Sequence, residues 1–124
     1  ILNKLMLDIG KIKLDLPFFQ ASLSGYSDRA MRQLAVKFGS PLVITGVILD
    51  KVALHKKAIK KPKFRPAENE HPVAAQILGT TPETMALSAK NFYSIGFDLI
   101  DLNFACPAPK VLKRARGGER EETA

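Results

Sequence analysis

A thiol near the end of the sequence is the side chain best suited to proton transfer. Cys106 is the single cysteine of the chain; it follows the run Leu99-Ile-Asp-Leu, which predicts a buried strand, and it precedes Pro107. Proline fixes the local backbone and removes a hydrogen-bond donor, so we expect the thiol on a rigid loop and not inside a helix. A protonated thiol held in this way could act as a general acid. The alternative is a small buried hydrophobic side chain, which is the commoner role of a free cysteine.

Two carboxamides occupy comparable positions. Gln76 lies within the otherwise apolar run of residues 73–79, and Asn103 comes directly after residues 99–102. A buried amide without a partner costs about 1–3 kcal/mol, so Gln76 needs either the edge of a cofactor ring or the backbone of a neighbouring strand. Asn103 could face the same cofactor or form a turn, because asparagine ends strands readily. The residue types leave both alternatives open.

Other common kinds of site are not supported. One cysteine and the distant His55 and His71 do not give the spacing of a metal site. The glycines form neither a G-x-G-x-x-G motif nor a Walker loop, which argues against Rossmann and P-loop nucleotide sites. A single cysteine cannot form an internal disulfide, which fits a reducing compartment.

Alternating strand and helix patterns must position these side chains. Residues 7–14 alternate apolar and polar side chains around Gly10 and predict a short hairpin. Apolar runs at residues 17–23, 42–49, 73–79 and 97–103 predict four further strands, the first buried on both faces and followed by a turn at Ser24 and Gly25. Ser27 is expected to cap a helix whose inner side carries Met31, Leu34, Ala35 and Phe38. Thr81 and Pro82 begin another, whose inner side carries Met85, Ala89 and Phe92.

This order of elements predicts an α/β chain with a parallel sheet. Its spacing suits a (β/α)8 barrel, and since a complete barrel takes roughly 200 residues or more, we expect the N-terminal half of a TIM barrel preceded by the hairpin. The partial domain would span residues 1–118, with residues 119–124 as a polar tail at a truncation end. Functional groups gather at the carboxyl ends of parallel strands. That rule selects Ala21, Ser22, Leu23, Ser24, Gln76, Asn103 and Cys106.

Composition and charge narrow the class of protein. The 124 residues are 46% hydrophobic, as in one globular domain, and carry a net charge of +7. No apolar run approaches the roughly 18 residues of a membrane helix, and no signal peptide is visible, so we expect a soluble cytoplasmic protein. The basic surplus suits a polyanionic partner or simply a solvated lysine-rich loop. Its two clusters are Lys51, Lys56, Lys57, Lys60, Lys61, Lys63 and Arg65, and then Lys110, Lys113, Arg114 and Arg116.

Three segments in order resemble one enzyme family. They are QASLSGYSDRAMR at residues 20–32, PVAAQILGTTPE at 72–83 and DLNFACPAPKV at 101–111. They resemble the first, third and fourth strand ends of tRNA-dihydrouridine synthases, flavin enzymes that reduce uridine in tRNA. Dihydroorotate dehydrogenase, another flavin barrel, shares the Asn-x-x-Cys-Pro turn but is not expected to have Gly-Tyr-Ser-Asp early or Pro-Lys-Val after the cysteine.

The resemblance implies roles for the candidate residues. Cys106 would protonate one carbon of the uracil ring while reduced FMN delivers hydride to the other, and NADPH would reduce the flavin. Gln76 would hold the isoalloxazine edge, and Asn103 would lie at the face shared by flavin and substrate. The backbone of Ala21, Ser22 and Leu23 would line the flavin. The phosphates of tRNA would contact Lys110, Lys113, Arg114 and Arg116.

The sequence also departs from the family pattern. Ser22 and Leu23 replace the common Pro-Met, Gly46 stands where a glutamate is common, and Ala105 replaces a usual glycine. The family's later lysine, histidine and phosphate-binding glycines lie beyond these strands, so we expect little activity from the chain alone. The alternatives are a basic RNA-binding protein without catalysis and a dihydroorotate-dehydrogenase-like oxidoreductase. An open half barrel would also expose strand edges and favour self-association.

Overall fold

The computed structural model describes residues 6–112 and begins with a hairpin. Strands β1 (Leu7–Ile9) and β2 (Ile12–Leu14) pair antiparallel, with Ile9 opposite Ile12. Gly10 lies in the turn at a φ of 60°, a conformation that glycine adopts without steric cost. The side chain of Leu14 is buried. The predicted hairpin is confirmed.

A parallel sheet forms the centre of the molecule. Its strands are β3 (Val43–Ile44), β4 (Ile48–Leu49), β5 (Val73–Leu78) and β6 (Leu99–Leu102). All the other strands pair parallel to β5, which is therefore the central strand. Helical segments lie between β4 and β5 and between β5 and β6, so the predicted α/β class is confirmed.

A bulge divides the predicted strand 42–49 into β3 and β4. Ile44 pairs with Ala74 and Ile48 with Ile77, so three residues of this strand, 45–47, face only residues 75 and 76 of β5. The extra residue interrupts the ladder, as in a β-bulge. A Cβ atom added at Gly46 would lie 2.9 Å from the carbonyl oxygen of Leu23. The bulge therefore depends on glycine, because the loop after residue 22 packs directly against it.

Helix α3 (Pro82–Ser94) covers one face of the sheet. Thr81 caps it by accepting from the backbone N–H of Thr84 at 3.2 Å. Met85 and Phe92 are buried, and the ring of Phe92 meets that of Phe97 edge to face at 5.5 Å between centroids. The start and the inner side predicted for this helix are confirmed. A shorter helix, α2 (Asp50–Leu54), was not expected from the sequence and lies at the start of the lysine-rich segment.

Helix α1 (Arg29–Lys37) differs from its prediction in its cap and in its buried side. Asp28, not Ser27, caps it by accepting from the Met31 N–H at 2.9 Å. Two residues of the predicted inner side, Leu34 and Phe38, are 54% and 80% exposed. The buried residue is Arg32, because its guanidinium has an acceptor inside the protein.

That acceptor is Glu70, in the short 3-10 turn Glu68–Glu70. Arg32 Nη2 lies 3.1 Å from Glu70 Oε2, and both side chains are almost fully buried. Arg32 Nη1 also donates to the Ser27 carbonyl, and the Ala67 N–H donates to Glu70. A buried ion pair needs such additional hydrogen bonds to offset the desolvation of its charges. The pair joins α1 to the segment that leads into β5.

Two predicted strands are corrected. Residues 17–23 do not form a strand, and Phe18 is exposed. The backbone N–H of Gln20 donates to the Leu42 carbonyl, as it would in a strand. The next N–H along that neighbour, from Ile44, donates to the side-chain oxygen of Gln20 and not to a backbone carbonyl, so strand pairing does not continue. Strand β6 is not buried as predicted, because it lies at the edge of the described sheet with partly exposed side chains.

Candidate functional site

A hydrogen-bonded network of side chains surrounds Gln76 towards the carboxyl ends of the strands. The Ser22 hydroxyl lies 2.9 Å from Gln76 Oε1, and Asn103 Nδ2 donates to the same oxygen at 3.1 Å. Gln76 Nε2 donates to Asp101 Oδ2 at 2.6 Å. Three predicted site residues, Ser22, Gln76 and Asn103, therefore meet although they belong to separate segments. The partners found for the Gln76 side chain are side chains of neighbouring segments.

Thr45, in the bulge between β3 and β4, forms hydrogen bonds to two residues of this network. The Gln76 backbone N–H donates to Thr45 Oγ1 at 3.0 Å, and the Ser22 hydroxyl lies 2.7 Å from the Thr45 carbonyl oxygen. Ser22 carries one hydroxyl proton, so that proton lies between two acceptors, the Thr45 carbonyl and Gln76 Oε1. The bulged backbone thus holds Ser22 beside the central strand.

A second set of hydrogen bonds shapes the loop that contains Ala21, Ser22 and Leu23. Ser27 Oγ accepts from the Leu23 N–H at 2.8 Å and from Gln20 Nε2 at 2.9 Å, and it lies 3.2 Å from the Ala21 carbonyl. The Leu23 carbonyl accepts from the backbone N–H groups of residues 26 and 27. Ser27 therefore organises this loop, which explains why it does not cap α1.

Asn103 connects Gln76 to the loop that carries Cys106. Its Oδ1 accepts from the Ala105 N–H at 3.1 Å while its Nδ2 donates to Gln76. The turn-forming role considered for Asn103 is therefore present, and the same side chain also reaches the central strand. The thiol of Cys106 is free and half-buried in the loop between β6 and α4 (Pro109–Leu112). Partial exposure is not the environment of a small buried hydrophobic residue.

Asp101 is the member of the network that the sequence analysis missed. It pairs in register with Gln76 across β5 and β6. A pattern signal was available, since residues 101 and 103 lie on the same face of a strand. The alternation of side chains along a strand therefore could have indicated that Asp101 faces the same partners as Asn103, but the sequence analysis did not use it.

The predicted cationic residues are described only in part. Lys110 belongs to α4, whereas Lys113, Arg114 and Arg116 lie outside the described residues. The seven basic side chains between residues 51 and 65 are all exposed.

Among residues 6–112, no cluster of three or more His, Cys, Asp or Glu side chains could hold a metal ion. None of the helices described is long and apolar enough to cross a bilayer.

Comparison with known proteins identifies the family. The model of the dihydrouridine synthase family, described as Dihydrouridine synthase (Dus), matches residues 19–119. A probable tRNA-dihydrouridine synthase of Treponema pallidum is 34% identical over 88% of this chain and 32% of the relative. One of Rickettsia bellii is 32% identical over 90% of this chain and 35% of the relative. The tRNA-dihydrouridine synthase B of Pseudomonas aeruginosa is 29% identical over 88% of this chain and 33% of the relative.

The chain spans about a third of the length of these relatives. The family match nevertheless covers all three segments that carry the resemblance, including the Ser22 loop, Gln76 and the Asn103 to Cys106 turn. The chain belongs to the dihydrouridine synthase family.

Proposed function

We propose that this chain is the N-terminal, FMN-binding part of an enzyme that reduces uridine in tRNA to 5,6-dihydrouridine with NADPH. The observation that carries the proposal is the network joining Ser22, Gln76 and Asn103 next to the Cys106 loop. It gathers polar groups from three segments at one end of a parallel sheet, where ligands bind in α/β proteins. The family match and the names of the relatives supply the reaction class.

The residues of the network suit the edge of a flavin ring. Carboxamide and hydroxyl groups held by neighbouring side chains can bind the carbonyl and N–H groups along such an edge with fixed geometry. When bound, the reduced flavin would supply a hydride to one carbon of the uracil double bond. Gln76 would orient the ring edge, and the backbone of Ala21, Ser22 and Leu23 would contact the flavin.

Cys106 would complete the reduction by proton transfer. Hydride addition to one carbon of the double bond leaves a negative charge that the neighbouring carbon relieves by taking a proton. The Cys106 S–H would donate that proton and later recover one from solvent, so that uridine, NADPH and a proton give dihydrouridine and NADP⁺. Asn103 would hold the thiol loop at the face shared by flavin and substrate, through its bond to Ala105.

Polyanion binding would bring tRNA to this end of the sheet. We propose that Lys110, Lys113, Arg114 and Arg116, which follow Cys106 closely in the sequence, contact phosphates around an extruded uridine in a cytoplasmic enzyme. Such contacts weaken as salt concentration rises, because each releases bound counterions. Binding of tRNA without any flavin would favour the alternative of an RNA-binding protein without catalysis.

We further propose that residues 1–118 form half of a TIM barrel and that residues 119–124 are a polar tail. Strand β6 is paired with β5 along one side, and Leu102 and Phe104 are exposed beside it. Within residues 6–112 its other edge has no strand partner, and such an edge with apolar neighbours favours pairing with a second copy of the same chain. Light scattering should therefore show a mass that rises with protein concentration; a constant monomer mass would contradict self-association.

Turnover tests the proposal directly. We would express both the 124-residue chain and the longest reading frame that contains it, and measure bound FMN by visible absorbance. Dihydrouridine formed in unmodified tRNA with NADPH would be quantified by mass spectrometry. We expect Cys106→Ala to lower turnover by about 10²–10⁴-fold, the usual contribution of a general acid. Unchanged turnover in this variant would exclude the proton-donor role.

Two controls separate the alternatives. Tyr93→Phe changes an exposed residue of α3 and should retain wild-type turnover. Dihydroorotate offered in place of tRNA should not be oxidised, because the family match favours the tRNA enzyme. Oxidation of dihydroorotate with no reaction on tRNA would contradict the proposed substrate.

A further inference from the structure

The Gln76 carboxamide has few hydrogen-bonding positions left for a ligand. A glutamine amide offers two N–H donors and an oxygen that can accept twice. Asn103 Nδ2 donates to Oε1, and the Ser22 hydroxyl proton lies between Oε1 and the Thr45 carbonyl. One N–H is directed to Asp101 Oδ2 at 2.6 Å. One N–H remains.

The orientation of this amide is fixed by its neighbours on both sides. An ionised carboxylate can only accept hydrogen bonds, so Asp101 requires the nitrogen of Gln76 and not its oxygen. Rotating the amide by half a turn would place its oxygen against the Asp101 carboxylate and its nitrogen against the Asn103 Nδ2 donor. Both contacts would then be repulsive, and the amide is therefore held with one polarity.

We infer that Asp101 is a positioning residue that makes Gln76 a donor-only contact for the bound flavin. The other N–H of Gln76 would bond to a carbonyl oxygen or an unprotonated ring nitrogen. Asn103 Nδ2 covers one accepting position of Oε1, and the Ser22 hydroxyl oxygen, 2.9 Å away, covers the other whichever acceptor takes its proton, so the imide N–H of the ring would find no open acceptor on this side chain. The inference rests on the proposed function for the identity of the ligand. The polarity of the amide itself rests only on the contacts of residues 22, 76, 101 and 103.

Nuclear magnetic resonance of the side-chain amides tests the polarity without any cofactor. In the wild-type chain, one of the two Nε2 protons of Gln76 should resonate downfield and exchange slowly with water, because it bonds to a carboxylate. Asp101→Asn and Asp101→Ala should both remove this downfield shift. Gln33, whose exposed amide donates to Asn69 instead of a carboxylate, serves as the internal reference.

Ser22→Ala is the matched variant. It removes a partner of the Gln76 oxygen and leaves the bond to Asp101 in place, so the downfield proton should remain. Ordinary shifts for both Gln76 protons in the wild-type chain would overturn the inference, and so would a downfield proton that persists in both Asp101 variants. The pair of Asp101 variants guards against misfolding, since asparagine preserves the shape of the side chain.

Flavin analogues then test what the free N–H recognises. We would measure the binding of FMN to the longest reading frame containing this chain, and of analogues in which each ring carbonyl oxygen is replaced by sulfur or each unprotonated ring nitrogen is replaced by C–H. One of these analogues should bind about three- to tenfold more weakly than FMN, the worth of one hydrogen bond, and Asp101→Asn should reduce that difference. Equal binding of all the flavins, or an unchanged difference in Asp101→Asn, would overturn the inference. Absence of FMN binding would instead contradict the proposed function, while the amide resonances would still decide the polarity.

Discussion

The two faces of strand β5 differ in the kind of contact that they make. On the face towards α3, residues Val73, Ala75 and Ile77 are fully buried in an apolar cluster with Met85 and Phe92. The opposite face carries Gln76, whose side chain forms hydrogen bonds that require donors and acceptors in fixed directions. The helix side therefore supplies stability mainly through apolar burial, whereas hydrogen bonds on the other side fix the directions of polar groups. Substitutions on the two faces should separate these contributions.

The largest loss of stability is expected on the helix side. Phe92→Ala would remove a fully buried ring and its edge-to-face contact with Phe97. Truncations of this kind cost about 3–5 kcal/mol in free energy of unfolding. Urea denaturation followed by circular dichroism would measure the loss. Tyr93→Ala, next to it but 72% exposed, should change stability by less than about 0.5 kcal/mol.

A smaller loss is expected on the polar side. Gln76→Leu keeps the approximate volume but leaves Asp101 and Asn103 without their partner, at a cost of about 1–3 kcal/mol. The same denaturation experiment applies, together with FMN absorbance of the longest reading frame. A stabilised variant that still binds FMN would show that the polar face has no positioning role.

An Asn103 variant tests whether the polar face also holds the Cys106 loop in place. Asn103→Ala loses the link between Gln76 and the Cys106 loop, at about 0.5–1.5 kcal/mol for each hydrogen bond. The loop should become looser, so the thiol should react faster with iodoacetamide. Asn91→Ala, which loses a side-chain hydrogen bond to Ala53 elsewhere, is the matched control. Equal thiol reactivity in the two variants would contradict a role for Asn103 in holding the loop.

The smallest effect on stability is expected at the thiol itself. Cys106 is half-buried in a loop, so Cys106→Ala should change the free energy of unfolding by less than about 0.5 kcal/mol. The same variant is expected to lose most turnover. Stability and activity would then be separated at one residue, and a large loss of stability would indicate a packing role instead.

Patterns that depend on local periodicity could be predicted from the sequence. Alternation around Gly10 predicted the hairpin, and the spacing of Met85, Ala89 and Phe92 after Thr81 predicted α3 with its inner side. The rule that polar groups gather at the carboxyl ends of strands also selected Ser22, Gln76 and Asn103 before their contacts were known. In each case, neighbouring residues carry the signal.

Features that depend on distant partners could not be predicted in this way. The buried side of α1 is set by Glu70, which lies 38 residues from Arg32. The Gln20 side chain replaces backbone pairing because Ile44 is beside it, which a run of apolar residues does not reveal. The bulge at Gly46 depends on the approach of the loop after Ser22. Tertiary contacts override local preference at all three places.

The Arg32–Glu70 pair has a consequence for how this sequence can change over time. Loss of either charge alone leaves the other buried without a partner of opposite charge. This typically lowers the free energy of unfolding by about 3–5 kcal/mol, a large part of the stability of a small domain. Joint replacement by two apolar residues of similar volume is tolerated far better. We therefore expect these two positions to covary among homologues, as a charged pair or as an apolar pair.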